Sequence, residues 1–386
     1  MTCLVLILSF LAFCCSKQDK VERVIEDGVE VVINHLEPYK IKGEPSTLLL
    51  EEEFTIDTQR DDLAEVGLTD ISSFDVDSKG NIYFFQRRES DLDVIIKFDM
   101  NGNFLKKFGK RGQGPGEIQF PVLLNITEGD ELPIQDGNTQ KLYIFDKEGD
   151  LIREVRIDSE ESFGNFVFYP LKNGNYLKYG EYFDPESQHR QHILQLYNAS
   201  FGIIKELDRC DHGKVIAFTQ QKKVFTPRVF IGQVSGERIY VGHEKRGYEI
   251  LAYDFNGNLL NKIRKAYHPA EVPDAFKENW LINIGRYENR LVFPDKMPPF
   301  HYFFLDDEGR LYVKTYEEGT NKAEYMHDIF NSDGLFITRK SMVGHGNWIY
   351  PGDSLNRGKA RNNHFYCIRE KENGFKELVV YRMIWE

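Results

Sequence analysis

The stretch Phe98-Asp99-Met100-Asn101-Gly102-Asn103-Phe104-Leu105-Lys106-Lys107-Phe108 decides how this chain reads. An apolar run reaches an Asp, a turn is built on Asn-Gly, and a second run follows. Asn-Gly between apolar runs is a strong short-range hairpin signal, because such a turn needs positive φ. The phrase returns as IFDKEGDLIREV (Ile144 to Val155), YNASFGIIKEL (Tyr197 to Leu207), AYDFNGNLLNKI (Ala252 to Ile263) and DIFNSDGLFITR (Asp328 to Arg339). A sixth, degraded copy is EKENGFKELVVY (Glu370 to Tyr381).

Six copies of one hairpin predict a repeat architecture. The turn glycines Gly102, Gly149, Gly202, Gly257, Gly334 and Gly374 are spaced by 47, 53, 55, 77 and 40 residues. Propeller blades run about 40–50 residues, so the long interval holds one insertion, Lys265 to Pro299. A second turn precedes the first in several units, at Ser78-Lys79-Gly80-Asn81, Asn173-Gly174, Ser235-Gly236 and Glu308-Gly309. Each unit therefore reads strand, tight turn, strand, longer loop, strand, tight turn, strand. The expected fold is all-β, a six-bladed β-propeller of four-stranded antiparallel blades. A sandwich would not repeat one four-strand phrase six times. TLLLEEEFTID (Thr47 to Asp57) is expected to pair with the C-terminal strands and close the ring, since an open ring exposes a sheet edge. The propeller is thus placed at 47–386.

Residues 1–15 read as a leader and 16–46 as a tether with a strand-like stretch at Val29 to Ile33. Leu4 to Phe13 is too short an apolar run to span a bilayer and suits a signal-peptide core. It ends in Ala12-Phe13-Cys14-Cys15-Ser16-Lys17, a lipoprotein-type signal. Cleavage before Cys15 places the small Cys14 just upstream, whereas cleavage before Cys14 would place bulky Phe13 there, so Cys15 is the expected lipidation site. A plain secretory leader is the other reading. Cys210 and Cys367 fall in the third and sixth units, opposite in a six-membered ring, so no internal disulfide is expected.

The net charge of −12, with 13% aromatic residues, argues against nucleic acid as a partner, which needs a basic surface. In a four-stranded blade the two tight turns share one face. The second-to-third and blade-to-blade connections share the other. Function usually sits on the longer loops of a rigid scaffold. That face is expected to hold Arg87, Arg88, Lys110, Arg111, His243, Lys245, Arg246, Tyr248 and His268, candidate ligand-binding residues for an acidic or aromatic-stacking ligand. His189 and His192 fall there too, a weak metal pair without a third ligand. Asp75-x-Asp77-x-Lys79-Gly80 reads as a hairpin turn, since Lys79 takes the place of an oxygen ligand that calcium would need. The first strands, which line the channel, are mainly apolar, with Asp75, Asn125, Gln233 and His301 as polar exceptions. No nucleophile elbow, phosphate loop or His-Glu-x-x-His is present.

Phe108-Gly109-Lys110-Arg111-Gly112-Gln113-Gly114-Pro115-Gly116-Glu117, with VDSKGNIYFF before it and KFDMNGNFL between, resembles the NHL repeat. It is closer still to six-bladed propeller lipoproteins of Bacteroidota, whose DGVEVV-type segment and LEEEF-type strand match Asp27 to Val32 and Leu50 to Phe54. The usual Val-Leu/Ala-Asp end of the second strand is Phe84-Phe85-Gln86 here. The resemblance implies a lipid-anchored propeller in the bacterial cell envelope and no settled activity. The expected function is a membrane-anchored binding module, monomeric, holding a glycan, a peptide or an envelope protein on its long-loop face. No cofactor is expected, although a divalent metal is possible. The alternative is a metal-dependent hydrolase or lyase with its site at the channel mouth.

Overall fold

The computed structural model describes residues 21–86, 93–157, 165–214, 223–224, 229–274, 277–278, 291–321, 323–343 and 358–386. Six four-stranded antiparallel units follow one another along the chain, at residues 74–110, 121–156, 165–214, 230–265, 302–343 and 359–385 with 48–57. They are called blades 1 to 6. The expected fold is the observed one. A short helix, Asp61–Glu65, links the closing strand to blade 1.

The local device that recurs through blades 1 to 5 is a capped turn. Asp99 accepts hydrogen bonds from the backbone N–H of Asn101 (2.9 Å) and Asn103 (2.8 Å), while Gly102 adopts φ 81°. Asp254, Asn331, Asp77 and Asp306 repeat the pattern, each accepting from residues two and four ahead. A carboxylate or amide that bonds its own turn in this way favours the bend over a straight strand. Asp77 and Asp306 also accept from Tyr83 and Tyr312, at 2.9 and 2.8 Å. The Asp75–Gly80 segment is thus a hairpin turn, as expected. The third unit departs from the sequence reading. Its left-handed position is held by Phe201, φ 58°, and not by Gly202. The Phe201 ring stacks on Tyr176 at 4.8 Å and meets Phe168 edge-on, so tertiary packing holds a bulky residue where backbone preference alone would choose Gly.

The blades are joined by apolar clusters at their seams. Phe84, Ile96, Tyr366 and Leu378 pack between blades 1 and 6, and Tyr83, Val94, Ile134 and Tyr143 between blades 1 and 2. Leu142, Ile144 and Phe168 fill the next seam, and Leu194, Cys210, Phe230 and Val241 the one between blades 3 and 4. A larger cluster spans blades 4, 5 and 6. Each fully buried side chain of this kind contributes about 1.5–3 kcal/mol, so every seam adds to one ring. Leu48–Asp57 pairs antiparallel with Lys376–Trp385, from Leu48↔Trp385 to Asp57↔Glu377. The N-terminal strand is the outer strand of blade 6, and the ring is closed as expected. Cys210 and Cys367 are buried free thiols.

Of the stretch expected as a tether, the described residues from 21 onward carry two strands, and the second falls on the strand-like stretch expected at Val29 to Ile33. Glu22–Glu26 and Val29–Asn34 form a hairpin whose second strand runs parallel to Leu259–Lys265, extending blade 4 to six strands. Its turn, Asp27-Gly28, has φ 51° and 81°, as the tightest hairpin turn requires. Asn34, fully buried, receives the Phe336 N–H at 2.8 Å and donates to the Gly334 carbonyl at 2.9 Å, fixing the hairpin against blade 5. Because Asn34 pairs with Lys265 and Glu22 with Ile33, Glu22 lies at the long-loop end of blade 4.

Two outcomes are expected. Ile56, fully buried in the closing strand, should lose about 2–5 kcal/mol on replacement by Ala, read as a lower urea midpoint. Faster amide exchange should then spread through both blade 6 and blade 1. Lys314 is fully buried in blade 5, its ammonium 4.0 Å from the Tyr325 ring centre and close to His327, and burial pushes its pKa down to about 7. A lysine lowered on folding binds fewer protons folded than unfolded between about pH 7 and its ordinary value near 10. Its destabilising effect is therefore full below pH 7 and fades as pH rises towards 10. Lys314→Met should raise the melting temperature more at pH 6 than at pH 10, and an equal shift at both would refute this account.

Candidate functional site at the seam of blades 3 and 4

The tight-turn end is tied together by polar contacts between blades. Glu128, in the first turn of blade 2, accepts from the Gly236 N–H of blade 4 and stands 3.8 Å from Arg361 of blade 6. Arg361 also pairs with Asp307 of blade 5 at 3.4 Å. Burial raises the Glu128 carboxyl pKa, and Arg361 offsets this only in part. Asp75 of blade 1, one of the polar channel residues, pairs with Lys359 of blade 6 at 3.2 Å and receives the Ile126 N–H at 2.8 Å. These bonds join blades across and around the ring at that end and direct attention to the long-loop face.

There the second, third and fourth strands of blade 3 are long: Tyr176–Asp184, His189–Tyr197 and Ile203–Lys214. His189 and His192, expected in a loop, lie on His189–Tyr197, the middle one of these, because the connection at 181–191 is a β-hairpin extension. His192 is opposite Cys210 in the register. Cys210 and His212 stand two apart on the fourth strand, so both face one way, towards blade 4. Blade 4 answers with the end of its second strand, Arg238–His243, and a single 3₁₀ turn, Glu244–Arg246.

Two charged groups form at this seam. In the first, Arg246 grips Asp208 with both terminal nitrogens, at 2.8 and 2.7 Å, and His243 Nε2 stands 3.7 Å from the same carboxylate. Burial would raise the Asp208 carboxyl, yet hydrogen bonds from His243 and Arg246 hold it below the usual carboxylate range. In the second, His212 Nδ1 lies 3.0 Å from Glu244 Oε1, with Cys210 Sγ 3.7 Å from that oxygen and 4.0 Å from His212 Nδ1. His212 Nε2 shares a hydrogen bond with His192 Nδ1 at 2.7 Å. Burial pushes the Cys210 thiol up to about 12, with Glu244 adding to the effect. Burial opposes the charged form of Glu244 too, but His212 keeps that carboxyl below its ordinary value. Phe230 stacks between His192 and His243, at 5.6 and 6.0 Å. Among the described residues, Cys210, His212 and Glu244 are the grouping whose donor atoms a metal could bridge. It sits off the axis, away from the channel mouth, where only the alternative enzyme reading put a metal.

The structure thus brings His192, His243 and Arg246 together, with exposed Lys245 in the same 3₁₀ turn, and separates the remaining expected residues. His189 bonds Asp211 at 2.7 Å on blade 3. Lys110 is exposed at the end of blade 1, and Arg111 donates to the Gln86 carbonyl at 3.1 Å. His268 is exposed in the connection after blade 4. Tyr248 is a correction, since it is buried and donates to Asp328 at 2.8 Å within the core between blades 4 and 5. Arg87, Arg88 and Cys15 lie outside the described residues. Sequence reasoning missed Asp208, Cys210, His212 and Glu244. The Cys-x-His spacing on a strand was the available signal.

Comparison with protein families matches residues 65–268, just over half of the chain, to DUF5128, described as a 6-bladed beta-propeller. The chain belongs to the DUF5128 family. The family match runs from the linking helix through blade 4, and the structure continues the same plan through blades 5 and 6. Two solved structures share the fold. One is from Bacteroides fragilis and is designated an exported protein, with 11% identity, a TM-score of 0.50, and coverage of 92% of this chain and 100% of that one. The other is a DUF4221 family member from Bacteroides vulgatus, with 11% identity, a TM-score of 0.51, and coverage of 89% and 100%. No curated protein matches the chain.

The Asp208–Arg246 pair joins two blades and tests the seam. Arg246→Ala leaves a carboxylate that is 8% exposed with His243 and the Arg209 N–H as its partners. The expected loss is about 2 kcal/mol, below the 3–5 kcal/mol of a fully buried pair, because Arg246 itself is 22% exposed. Urea denaturation at pH 7 measures it, and Arg246→Lys should lose less. An unchanged midpoint in the Ala variant would show the pair to be energetically neutral.

Proposed function

We propose that this protein is a lipid-anchored binding module of the bacterial cell envelope. Its long-loop face would hold a glycan, a peptide or a protein partner. The observation that carries this reading is the contrast between the two ends of the ring. Glu128, Arg361 and their partners tie the tight-turn end together around the axis. The other end gathers the histidines, arginine and carboxylates of blades 3 and 4. It also exposes Phe120 and Phe183, each about half accessible, on the blade 1 to 2 connection and the blade 3 hairpin. Aromatic faces beside charged groups suit stacking on a sugar ring or a peptide side chain. The leader ending at Cys14-Cys15 and the export designation of the Bacteroides fragilis protein favour the envelope. The fold by itself assigns no activity.

Two measurements test the proposal. Cys15→Ala should move the protein from the membrane to the soluble fraction of its host, and continued membrane retention would remove the anchor from the reading. The soluble variant is then melted against panels of envelope glycans and of peptides. A ligand that binds only the folded state raises the melting temperature by an amount that grows with the logarithm of one plus its concentration divided by its dissociation constant. A shift that is lost in a Phe120→Ala, Phe183→Ala variant supports the long-loop face. A shift indifferent to these changes would place binding elsewhere. If nothing in either panel shifts the melting point, a protein is the remaining partner class. Crosslinking from both faces in the native envelope then decides, and crosslinks confined to the tight-turn face would overturn the proposal.

A further inference from the structure

We propose that Cys210, His212 and Glu244 form a binding site for a zinc-class divalent cation that ties blade 3 to blade 4. Nothing in the binding-module reading requires such a site, and either idea can fail alone. The first argument is distance. A tetrahedral zinc held by thiolate, imidazole and carboxylate at its usual bond lengths sets donor atoms about 3.3–3.6 Å apart. The three separations here are 3.0, 3.7 and 4.0 Å. A few tenths of an ångström of adjustment would equalise them.

The second argument is orientation. The Glu244 carboxylate is fixed by its other oxygen, Oε2, which accepts the Val229 N–H at 2.8 Å. Oε1 is thereby presented to Cys210 and His212. His212 is held from behind, because its Nε2 shares a hydrogen bond with His192 Nδ1. In the metal-free protein Nδ1–H donates to Glu244. Cation binding replaces that hydrogen bond, the ring proton passing by exchange with solvent to Nε2, which then donates to His192, so that the Nδ1 lone pair meets the cation. Metal-ligating histidines are usually oriented in this way through their second nitrogen. The third argument is donor chemistry. A sulfur and a nitrogen beside one carboxylate select zinc or its borderline neighbours over calcium and magnesium, which prefer oxygen donors. Three protein ligands also leave a fourth tetrahedral position for water or an oxygen of a bound molecule. The His212 side chain is 2% exposed and that of Glu244 11%, so the site is sheltered from solvent. Binding breaks the Cys210 S–H bond and releases that proton to solvent, while the thiolate pair forms the bond to the metal.

Cobalt(II) is the spectroscopic probe. The full-length protein, in mild detergent and stripped with chelator, is titrated with cobalt and then with zinc. The expected result is a thiolate-to-cobalt charge-transfer band that saturates stoichiometrically, is displaced by zinc and is unmoved by calcium or magnesium. Cys367→Ser should retain the band, and Cys210→Ser should lose it. Glu244→Gln keeps an oxygen for the Val229 N–H and guards against a Cys210 variant that fails to fold. Its zinc affinity should fall at least roughly ten-fold with an unchanged circular dichroism spectrum. His192→Gln, which removes the supporting hydrogen bond to His212 together with the stack on Phe230, should weaken zinc by about 10–100-fold with an unchanged circular dichroism spectrum. No cobalt band in the full-length protein, a band that survives Cys210→Ser, or zinc affinity unchanged by Glu244→Gln would overturn the proposal. The three groups would then be a His–Glu pair beside a buried thiol.

Discussion

The pairing of Leu48–Asp57 with Lys376–Trp385 is the interaction on which the rest of this structure depends. Each blade buries apolar side chains against two neighbours, and the series has no natural end until the first and last blades meet. The closing strand makes blade 6 from both ends of the chain. Ile56 then reaches the cluster at the blade 1 to 6 seam, and Leu48 the one shared by blades 4, 5 and 6. Covalent order, sheet hydrogen bonding and core packing therefore converge on one strand. Its contacts lie more than three hundred residues apart in sequence, so their closure entropy is met only once the intervening blades have formed.

Closure also gives the ring two unlike ends. At one end short turns cap themselves, and Glu128 and Arg361 draw blades 2, 4, 5 and 6 together. At the other end the strands of blade 3 overrun the sheet and lean polar groups against blade 4. The buried pair Asp208–Arg246 and the Cys210–His212–Glu244 group sit there, at a seam and not on the axis. A site at a seam is sensitive to the relative tilt of two blades, which a site within one sheet would not be.

Much of this was legible in the letters. The blade count, the turn positions and the closing strand follow from a repeated Asp/Asn-to-Gly phrase whose first residue caps its own turn. The failures have physical causes. In the third unit the nearest glycine, Gly202, is not the residue with positive φ, because Phe201 is held there by Tyr176 and Phe168. The N-terminal hairpin carried the same Asp-Gly signal as the blades, at Asp27-Gly28, but stood outside the repeat spacing and so read as a tether. Tyr248 reads as a surface aromatic until its hydroxyl is seen buried against Asp328. The seam group was hidden because Glu244 meets Cys210 and His212 only across two blades, and no local spacing records that meeting.

The docked hairpin has a mechanical consequence. Its first strand begins at Glu22, on the rim of blade 4 at the long-loop end, and is the outermost strand of a six-stranded sheet. Were the chain held to a bilayer at Cys15, the seven residue steps to Glu22 could reach at most about 25 Å. The ring would hang from one edge, with the blade 4 rim close to the lipid surface and blade 1, across the ring, free to tilt away. A pull on that leash would load the hydrogen bonds of the hairpin and of Val29–Asn34 against Leu259–Lys265 before it reached any blade seam. The hairpin would then act as a strain relief, protecting the closed ring from the forces of its own attachment.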